Sequence, residues 1–463
     1  MKIVLMLVLV SLTATYCSKS GTVKPPVVDP PPVVDTYKDP AAYGTPFAGV
    51  PDTKDAVIYE VNLRAFSADG NLKGLQNRLD NIKDLGVNVI WLMPIYPVGV
   101  LKSAGGLGSP YSVKDYNAVN TEFGTLDDLR TVVSEAHKRG ITVILDWVAN
   151  HTSWDNAWIA NKSWYQQDGG GNIISPVGTG WLDVAALNYN NADMRKAMIR
   201  AMKFWVLTAN IDGYRCDAVD FVPTDFWRQT LDTLKKFNTR KLVLLGEGSK
   251  KEQFTAGFQM NYAFEFYDRL KGVFAGTQVP SMLFVANVNE NNAIPAGGFK
   301  LRYTTNHDVT SSDGSTVDIY KGKQGALAAF VLAAYMNGVP LLYNGQEVGC
   351  PKKIDFFRKD PIDWTINPDM TAEYKKLIAF RKSSEAVKTG ALTQYTNSDV
   401  VAFEKKMGDE DILVLVNVRN AEINYTIPDA LKNSNWKNAL TGADVALATQ
   451  VSLPAYHYLI LKK

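Results

Sequence analysis

Short apolar runs alternate with amphipathic helical stretches from residue 56 to about residue 385 of this chain. Eight of the runs have the length and apolar content of buried strands: AVIYEVN (56–62), VNVIWLMP (87–94), ITVILDW (141–147), IDGYRCD (211–217), KLVLLGE (241–247), FQMNYAF (258–264), LRYTTNH (301–307) and VPLLYNG (339–345). The stretches between them have helical spacing, and one carries a continuous apolar stripe made of Met194, Ala197, Met198, Ala201, Met202 and Trp205. Eight strand and helix units in a row predict an α/β fold, the (β/α)8 TIM barrel. A doubly wound open sheet is the alternative, and it is disfavoured because no glycine-rich phosphate turn follows the first strand.

Two segments do not follow this alternation. Residues 151–188 are rich in Trp, Asn and Gly, and they predict a short insertion after the third strand. From about residue 390 the pattern changes to short alternating strands, namely VVAFEKK (400–406), DILVLVNV (411–418) and AYHYLILKK (455–463). We therefore predict a catalytic barrel over residues 46–387, with its insertion at 151–188, and an antiparallel β-sandwich domain over residues 388–463.

The amino terminus has the layout of an export signal. Lys2 precedes an apolar run of about ten residues, which is too short to span a bilayer, so residues 1–16 predict a signal peptide. Cys17 follows where a bacterial lipoprotein carries its lipid, although Tyr16 stands where such signals usually have a small residue. The sequence VKPPVVDPPPVVD then favours an extended polyproline II spacer, a Pro-rich stalk over residues 17–45. We expect an exported protein, lipid-anchored in the bacterial cell envelope on a membrane face that the sequence does not specify.

The amino-acid composition limits the classes of molecule that the protein is expected to bind. With 49 Lys and Arg against 47 Asp and Glu, the net charge is +2, and nothing indicates a polyanionic partner such as nucleic acid. The apolar share of 46% is ordinary for a globular protein able to bury a large core. Beyond Cys17, only Cys216 and Cys350 remain, so this exported chain makes no use of a disulfide framework.

Acidic residues stand where several predicted strands end. In a barrel of this kind the active site is built from the carboxyl ends of the strands. The residues found there are Asp146, Asn150 and His151 after the third strand, Arg215 and Asp217 on the fourth, Glu247 on the fifth, and Asn306, His307 and Asp308 after the seventh. Several carboxylates on one rim are costly, because like charges repel and burial adds to the cost. The cluster of carboxylates therefore predicts an active site rather than a structural role in the barrel core.

Cleavage of a glycosidic bond needs two carboxyl groups in different protonation states. In the fourth strand, alternation places Arg215 and Asp217 on one face, so the arginine would keep Asp217 anionic and available as a nucleophile. A structural ion pair is the alternative for this stretch taken alone. Glu247 follows LVLL, and apolar surroundings raise a carboxyl pKa, as an acid requires.

Four short motifs resemble, in order and spacing, those of the α-amylase family of glycoside hydrolases (family 13): DWVANH (146–151), GYRCDAVD (213–220), GEG (246–248) and TTNHD (304–308). The resemblance covers roughly residues 55–385 and extends to the carboxy-terminal β domain. The overall pattern is most similar to α-amylase-type lipoproteins of the Bacteroidetes lineage.

The resemblance implies a role for each matched residue. Asp217 would be the nucleophile, Glu247 the general acid and base, and Asp308 the third carboxylate, which binds the hydroxyls of the distorted sugar. Arg215 would position Asp217, His151 and His307 would hydrogen-bond the sugar on the glycone side of the cut, and Tyr111 would stack on its apolar face. For the histidines the alternative is satisfied core imidazoles, and for Tyr111 it is ordinary barrel packing.

Metal binding is left open by the resemblance. The chemistry would need no cofactor. Asn150 and Asn188 match positions that hold a structural calcium in relatives, and side-chain hydrogen bonding is the alternative for both. Val219 and Asp220 stand where many α-amylases have Lys-His, and this puts leaving-side sugar contacts and one usual calcium ligand in doubt.

The prediction from these residues is a retaining, endo-acting hydrolase of α-1,4-glucosidic bonds in starch, maltodextrins and related α-glucans, working as a monomer. An exo-acting α-glucosidase or a cyclomaltodextrinase with the same catalytic residues is one alternative. A non-catalytic glycan-binding lipoprotein is another, and the complete set of Asp217, Glu247, Asp308 and Arg215 argues against it.

Overall fold

Eight parallel strands close into a barrel in the computed structural model, which describes residues 37–237, 239–292 and 294–463. The strands are β1 (Ile58–Val61), β2 (Val89–Leu92), β3 (Thr142–Trp147), β4 (Gly213–Cys216), β5 (Val243–Gly246), β6 (Met260–Tyr262), β7 (Phe299–Tyr303) and β8 (Val339–Tyr343). Each pairs in parallel with its neighbours in chain order, and β8 closes on β1 through Ile58 and Leu341. All eight predicted strands and the predicted barrel are confirmed.

Helices surround the barrel, as the apolar stripes predict. The helix after β2 begins at a capping box, in which the Thr125 side chain and the Asp128 carboxylate satisfy each other's backbone N–H groups. Of the stripe predicted from Met194 to Trp205, all residues except Ala197 are buried. The helices are Leu63–Phe66, Leu72–Gln76, Leu79–Asp84, Leu126–Lys138, Ala192–Thr208, Thr224–Lys235, Glu252–Ala256, Phe264–Phe274, Met282–Asn291, Val309–Asp313, Thr316–Ile319, Lys323–Tyr335, Pro368–Ser383 and Glu385–Thr389, with short 3-10 turns at Thr53–Asp55, Ala157–Ala160, Lys162–Trp164, Val219–Phe221, Gln346–Val348 and Asp429–Leu431.

The side chains inside the barrel form two layers. Alternation along each strand sends every second side chain inward. Toward the amino-terminal ends of the strands these side chains form an apolar layer, made of Ile58, Val89, Ile144, Val243, Leu245, Met260, Leu301, Val339 and Leu341. Further along the same strands, toward their carboxyl ends, the side chains are aromatic or charged. We call the charged ones the charged layer, made of Glu60, Asp146, Arg215, Asp217 and Glu247.

All eight predicted strands are longer in the sequence than in the structure, and the sixth and seventh are the clearest cases. The seventh was predicted over residues 301–307, but β7 ends at Tyr303. The chain turns there because the Asn306 side-chain oxygen accepts hydrogen bonds from the backbone N–H groups of Asp308 and Val309, at 3.0 Å each, where a short helix begins. The sixth strand is likewise shorter, spanning Met260–Tyr262.

A β-sandwich follows the barrel, as predicted. Its strands are β9 (Ala391–Gln394), β10 (Val400–Met407), β11 (Glu410–Asn417), β12 (Ile423–Thr426), β13 (Ser434–Asn438), β14 (Asp444–Leu447), β15 (Gln450–Leu453) and β16 (Tyr458–Lys462). Six of them form one antiparallel sheet, and β12 pairs with β15 in a second. The three predicted strands are β10, β11 and β16. The other five are short and mostly exposed on one face, so their sequences lack a clear apolar run.

A segment before β1 lies against the amino-terminal end of the barrel. The backbone N–H of Tyr43 donates to the carbonyl of Leu207, at 2.7 Å, and Phe47 stacks on the His137 ring, with 4.3 Å between centroids. Val50 is buried among the side chains of the apolar layer.

The predicted signal peptide, the lipidated Cys17 and most of the predicted stalk lie outside the described residues. The boundaries of the predicted domains stay predictions. Within the described part of the chain, no helix is both long and apolar enough to cross a membrane. Cys216 and Cys350 are separate, buried free thiols.

Candidate active site

A cavity of about 500 Å³ opens at the carboxyl ends of the barrel strands. Six of the seven predicted site residues line it, namely Tyr111, His151, Asp217, Glu247, His307 and Asp308. The seventh, Arg215, lies beneath them, fully buried. The structure thus brings together residues from five strands or the loops that follow them, and these residues are far apart in the sequence.

Arg215 binds three carboxylates at once. Its Nη1 donates to Asp146, at 2.8 and 3.0 Å from the two carboxylate oxygens, and to Asp217 Oδ1, at 3.0 Å. Its Nη2 forms an ion pair with Glu247 Oε2 at 2.9 Å, although the alignment is not that of a hydrogen bond. The guanidinium carbon lies 4.9 Å from the centre of the Trp91 ring. One delocalised cation therefore fixes the geometry of the charged layer.

The pairing of Arg215 with Asp217 is confirmed, but its predicted electrostatic result needs correction. Burial raises the pKa of Asp217 to about 6, and Arg215 opposes this rise without reversing it. The physical reason is first the burial of the carboxyl group, and repulsion from Asp146, which shares the same Nη1, adds to the rise. Asp217 is still largely ionised at pH 7.

Glu247 has the more strongly raised pKa of the two. Burial raises the pKa of Glu247 to about 7, against the attraction of Arg215 and with repulsion from Asp217 adding to the rise. The two carboxyl groups therefore differ in the predicted direction, with Asp217 the stronger acid. Such a difference lets one group attack while the other still carries a proton.

Ala218 shapes the chain between the two carboxyl groups. Its φ of 44° lies in the left-handed region, which is uncommon for a residue with a Cβ. In this conformation its backbone N–H donates to Glu247 Oε2, at 2.8 Å. The hydrogen bond orients the Glu247 carboxyl group, which fits the observation that strained backbone clusters at functional sites.

Tyr111, His307 and Asp308 form one side of the cavity. The Tyr111 hydroxyl lies 2.6 Å from His307 Nε2 and donates to Asp146 Oδ2, at 3.1 Å. Asp308 Oδ2 lies 3.3 Å from the same Nε2, and the Asp308 side chain is 52% exposed. Asp308 is therefore the carboxylate most open to a ligand, whereas the Tyr111 ring stacks on the His307 ring, with 5.3 Å between centroids.

His151 also lines the cavity and is held at both ring nitrogens. Asn150 Nδ2 lies 3.2 Å from its Nδ1, and its Nε2 lies 3.2 Å from the Tyr111 carbonyl oxygen. Burial lowers the pKa of His151 to about 4, so the ring is neutral and donates from Nε2. The indole of Trp181 meets the ring edge-on, with 5.6 Å between centroids. A sugar hydroxyl that bound His151 would have to replace one of these two hydrogen bonds. The contact between His151 and the sugar stays a prediction.

Sequence reasoning missed several residues of the site, and Glu60, Trp181 and Phe356 are examples. Glu60 on β1 is fully buried, and its Oε1 lies 2.5 Å from His307 Nδ1. The only feature of the sequence that marked Glu60 was a single carboxylate within an apolar strand. Trp181 and Phe356 also line the cavity, but they come from loops without any periodic pattern, so no sequence signal marked them.

The two asparagines considered for calcium are used in local structure. The Asn188 side chain donates to the Ser163 carbonyl, at 3.1 Å, and accepts from the backbone N–H of Asn190, also at 3.1 Å. Calcium in proteins usually takes several carboxylate oxygens. Among residues 37–237, 239–292 and 294–463, no group of three or more His, Cys, Asp or Glu side chains is arranged to hold a metal ion. The residues present at Asn150 and Asn188 therefore do not fit a calcium site of the usual kind.

Comparisons with known proteins agree with this geometry. The family model of the α-amylase catalytic domain matches residues 37–169 and 181–369. Alpha-amylase 2 of Dictyoglomus thermophilum is 27% identical over 434 residues, covering 84% of this chain and 74% of that protein. A solved structure of a maltogenic α-amylase from Thermotoga neapolitana superposes with a TM-score of 0.80 at 25% identity, covering 89% of this chain and 99% of that one. An oligo-1,6-glucosidase of Bacillus cereus is 23% identical, covering 88% and 99%.

The family match spans more than half of the chain, so this protein belongs to the α-amylase family and is a glycoside hydrolase that acts on α-glucans. Enzymes of that family need no cofactor for catalysis. The relatives named here carry several specificities, and none of them bears on the resemblance to Bacteroidetes lipoproteins, which stays a prediction.

Proposed function

We propose that this member of the α-amylase family is a retaining, endo-acting hydrolase of α-1,4-glucosidic bonds in starch, maltodextrins and related glucans. The observation that carries the proposal is the geometry of two carboxyl groups on one guanidinium, since Arg215 lies 3.0 Å from Asp217 Oδ1 and 2.9 Å from Glu247 Oε2 in the same cavity, and burial raises the pKa of both groups. Retaining glycosidases need such a pair.

The reaction proceeds by double displacement. Asp217 attacks the anomeric carbon while Glu247 gives its proton to the leaving oxygen, which yields a glycosyl ester on Asp217 and a free aglycone hydroxyl. Glu247, now ionised, takes a proton from water as the water attacks the ester, and this step releases the sugar with its original configuration. Arg215 holds both carboxylates, and the exposed Asp308 binds hydroxyl groups of the distorted ring.

The time course of products from soluble starch tests endo action. Rapid loss of iodine staining together with mixed oligosaccharides is the expected result, because an internal cut shortens long chains at once. Glucose alone from the first minutes would overturn endo action.

One observation favours an exo-acting enzyme as a second candidate. The loops after β2 and β8 meet at the Tyr111 side of the cavity, where the backbone N–H of Leu107 donates to the Phe357 carbonyl, at 2.8 Å. Buried Arg64 joins the same loops, because its Nη1 donates to the carbonyl oxygens of Gly108 and Phe356, at 2.7 and 2.6 Å. A closed end there would leave room for few sugar units on the glycone side.

Maltoheptaose blocked at its non-reducing end separates the two candidates. An endo-acting enzyme cuts it, and an exo-acting enzyme is expected to stall. A glycan-binding protein without catalysis was the other alternative, and it is set aside because the chain belongs to a family of glycoside hydrolases.

The proposed location is the bacterial cell envelope, with a lipid on Cys17 and the chain acting as a monomer. Support comes from the sequence alone, namely the apolar run before Cys17 and the proline-rich stretch after it. Cys17→Ala should leave the membrane fraction and keep its activity on starch. An unchanged membrane pellet would contradict the anchor.

A further inference from the structure

Glu60 is a fully buried carboxylate for which the barrel core offers little compensation. It lies on β1, two residues after Ile58 of the apolar layer, and its side chain has 0% exposure. Oε1 lies 2.5 Å from His307 Nδ1, and Oε2 has no hydrogen-bond partner. Burying a carboxylate costs free energy that only a charged or donating partner offsets. A packing role alone would be met better by an apolar residue.

His307 lies between acidic groups on both sides of its ring. Nδ1 faces Glu60, and Nε2 faces the Asp308 carboxylate, 3.3 Å away, and the Tyr111 hydroxyl, 2.6 Å away. The Tyr111 hydroxyl donates its proton to Asp146 Oδ2, so Nε2 must donate to the Tyr111 oxygen while Nδ1 donates to Glu60. A neutral imidazole has only one N–H, whereas an imidazolium donates from both nitrogens. These contacts, with Asp308 close to Nε2, therefore favour the doubly protonated ring.

The electrostatic surroundings act in the same direction. Burial would lower the pKa of His307, but Asp308 and Glu60 outweigh burial and raise it to about 9, with Arg215 opposing. The groups that face the ring from each neighbouring element are Glu60 on β1, Trp91 on β2, Tyr111 and Phe356 on the rim loops, Asp146 on β3, Arg215 on β4 and Asp308 beside it.

We propose that Glu60 is a positioning residue that keeps His307 protonated at both nitrogens, so that a cationic N–H faces Asp308 and the sugar-binding side of the cavity. This inference rests on the proposed function only for its effect on turnover. The charge on His307 offsets the repulsion between Asp308, Asp217 and Asp146, and it strengthens the hydrogen bond that Nε2 offers to the Tyr111 hydroxyl or to a sugar hydroxyl.

The first experiment needs no substrate. The chain has four histidines, so imidazole NMR signals can be assigned with His307→Gln. In the wild type we expect the His307 signal to stay protonated from pH 5 to pH 8. In Glu60→Gln, which keeps the shape and an acceptor oxygen but removes the charge, we expect the midpoint to move down by at least one pH unit. An unchanged midpoint would overturn the proposal.

Glu347→Gln is the matched control. Glu347 is also a buried glutamate near the barrel end, but its Oε1 accepts from the Tyr59 hydroxyl, at 2.5 Å, and it makes no contact with His307. This variant should leave the His307 midpoint where it is in the wild type. A shift of equal size in both variants would mean that loss of a buried charge anywhere nearby moves His307, and the specific role of Glu60 would fail.

The second experiment measures kcat/KM as a function of pH. The ratio of kcat/KM between Glu60→Gln and the wild type should be about one half or lower at pH 8, where a midpoint lowered from about 9 by one unit or more leaves at most about half of His307 protonated, and it should rise toward 1 near pH 5, because protons restore the imidazolium without Glu60. A ratio that is the same at every pH would indicate that Glu60 only orients the ring. If the wild type hydrolyses no α-glucan, the proposed function fails, while the NMR titration still decides the role of Glu60.

Discussion

The two layers inside the barrel come from the same strands and differ in almost every physical property. In the apolar layer, side chains such as Leu341 and Ile144 are fully buried and pack against one another. In the charged layer, two residues further along, Asp146 and Glu60 are equally buried but carry charges with too few cations to balance them. Neighbouring layers of one sheet thus serve stability and chemistry separately.

The difference between the two layers shows that the charged layer is the part of the barrel that lowers the stability of the fold. Burial raises the pKa of Asp146, Asp217 and Glu247, so the ionised forms of these groups destabilise the folded state relative to the unfolded chain. The apolar layer offsets that cost through buried surface and close packing. Changes in the charged layer should therefore affect activity strongly and stability little, and changes in the apolar layer should do the reverse.

The largest expected effect is the loss of activity in Asp217→Asn. The amide keeps the shape but cannot form a glycosyl ester, so kcat/KM should fall by several orders of magnitude, on the scale seen when other covalent catalysts lose their nucleophile. Unfolding by heat at pH 7 should occur at the same temperature or higher, since one buried charge is removed. A large loss of stability would contradict the division between the layers.

Azide sharpens the assignment of the two carboxyl groups. In Asp217→Ala, azide should enter from the side of the missing nucleophile and give a product of inverted configuration. In Glu247→Ala, where the nucleophile remains, azide should give a retained product, and substrates such as α-maltosyl fluoride should still react because their leaving group needs no proton. The opposite pattern would show that the two roles are exchanged.

Leu341→Ala should have the second largest effect, and on stability rather than chemistry. Leu341 is fully buried in the apolar layer, opposite Ile58. Removing its side chain leaves a cavity, and such changes typically cost about 2 to 5 kcal/mol of unfolding free energy. Denaturant unfolding measures this loss, and kcat well below the melting temperature should stay within a few-fold of the wild type. A kcat loss like that of Asp217→Asn would mean that the layers are not separate.

The change of kcat/KM with pH should be intermediate in size, up to about tenfold per pH unit on the acid side and on the alkaline side of the profile. Burial raises the pKa of Asp217 to about 6, so kcat/KM falls below that pH as the nucleophile becomes protonated. Burial raises the pKa of Glu247 to about 7, so kcat/KM falls above that pH as the acid is lost. A profile flat from pH 4 to pH 9 would contradict both assignments.

Stability should fall with activity on the alkaline side, whereas on the acid side stability is retained while activity falls. A carboxyl group whose folded pKa is raised stabilises the fold below its unfolded pKa, near 4, and this contribution is lost as pH rises through the folded value. The melting temperature of the wild type should therefore fall between pH 5 and pH 8 more than that of Asp217→Asn. Thermal unfolding of both proteins in matched buffers measures the difference.

The smallest expected effect is that of a chelator. The Asn188 side chain is used by Ser163 and Asn190, and the residues around it do not fit a calcium site of the usual kind. EDTA should therefore change neither the melting temperature nor the rate on starch by a measurable amount. A fall in both that added calcium reverses would show that calcium binds elsewhere in the chain.

Much of the fold was predictable because barrel strands are short, apolar and regularly spaced. Alternation within β4 correctly placed Arg215 and Asp217 on one face, since their hydrogen bond is observed. Alternation could not show that Asp146 on β3 shares the same guanidinium nitrogen, because that contact depends on how two strands are staggered. Loop residues such as Phe356 were not predictable, since their positions are fixed by contacts distant in sequence.

Arg64 holds both rim loops through backbone atoms, and this has a consequence for how such an enzyme can change over time. Its guanidinium binds the carbonyl oxygens of Leu107, Gly108 and Phe356, which every amino acid possesses. Side chains on these loops can therefore be exchanged while the anchor points of the loops stay in place. New sugar preferences could arise by single substitutions at the rim, and laboratory libraries confined to these loops should contain many folded variants with altered products.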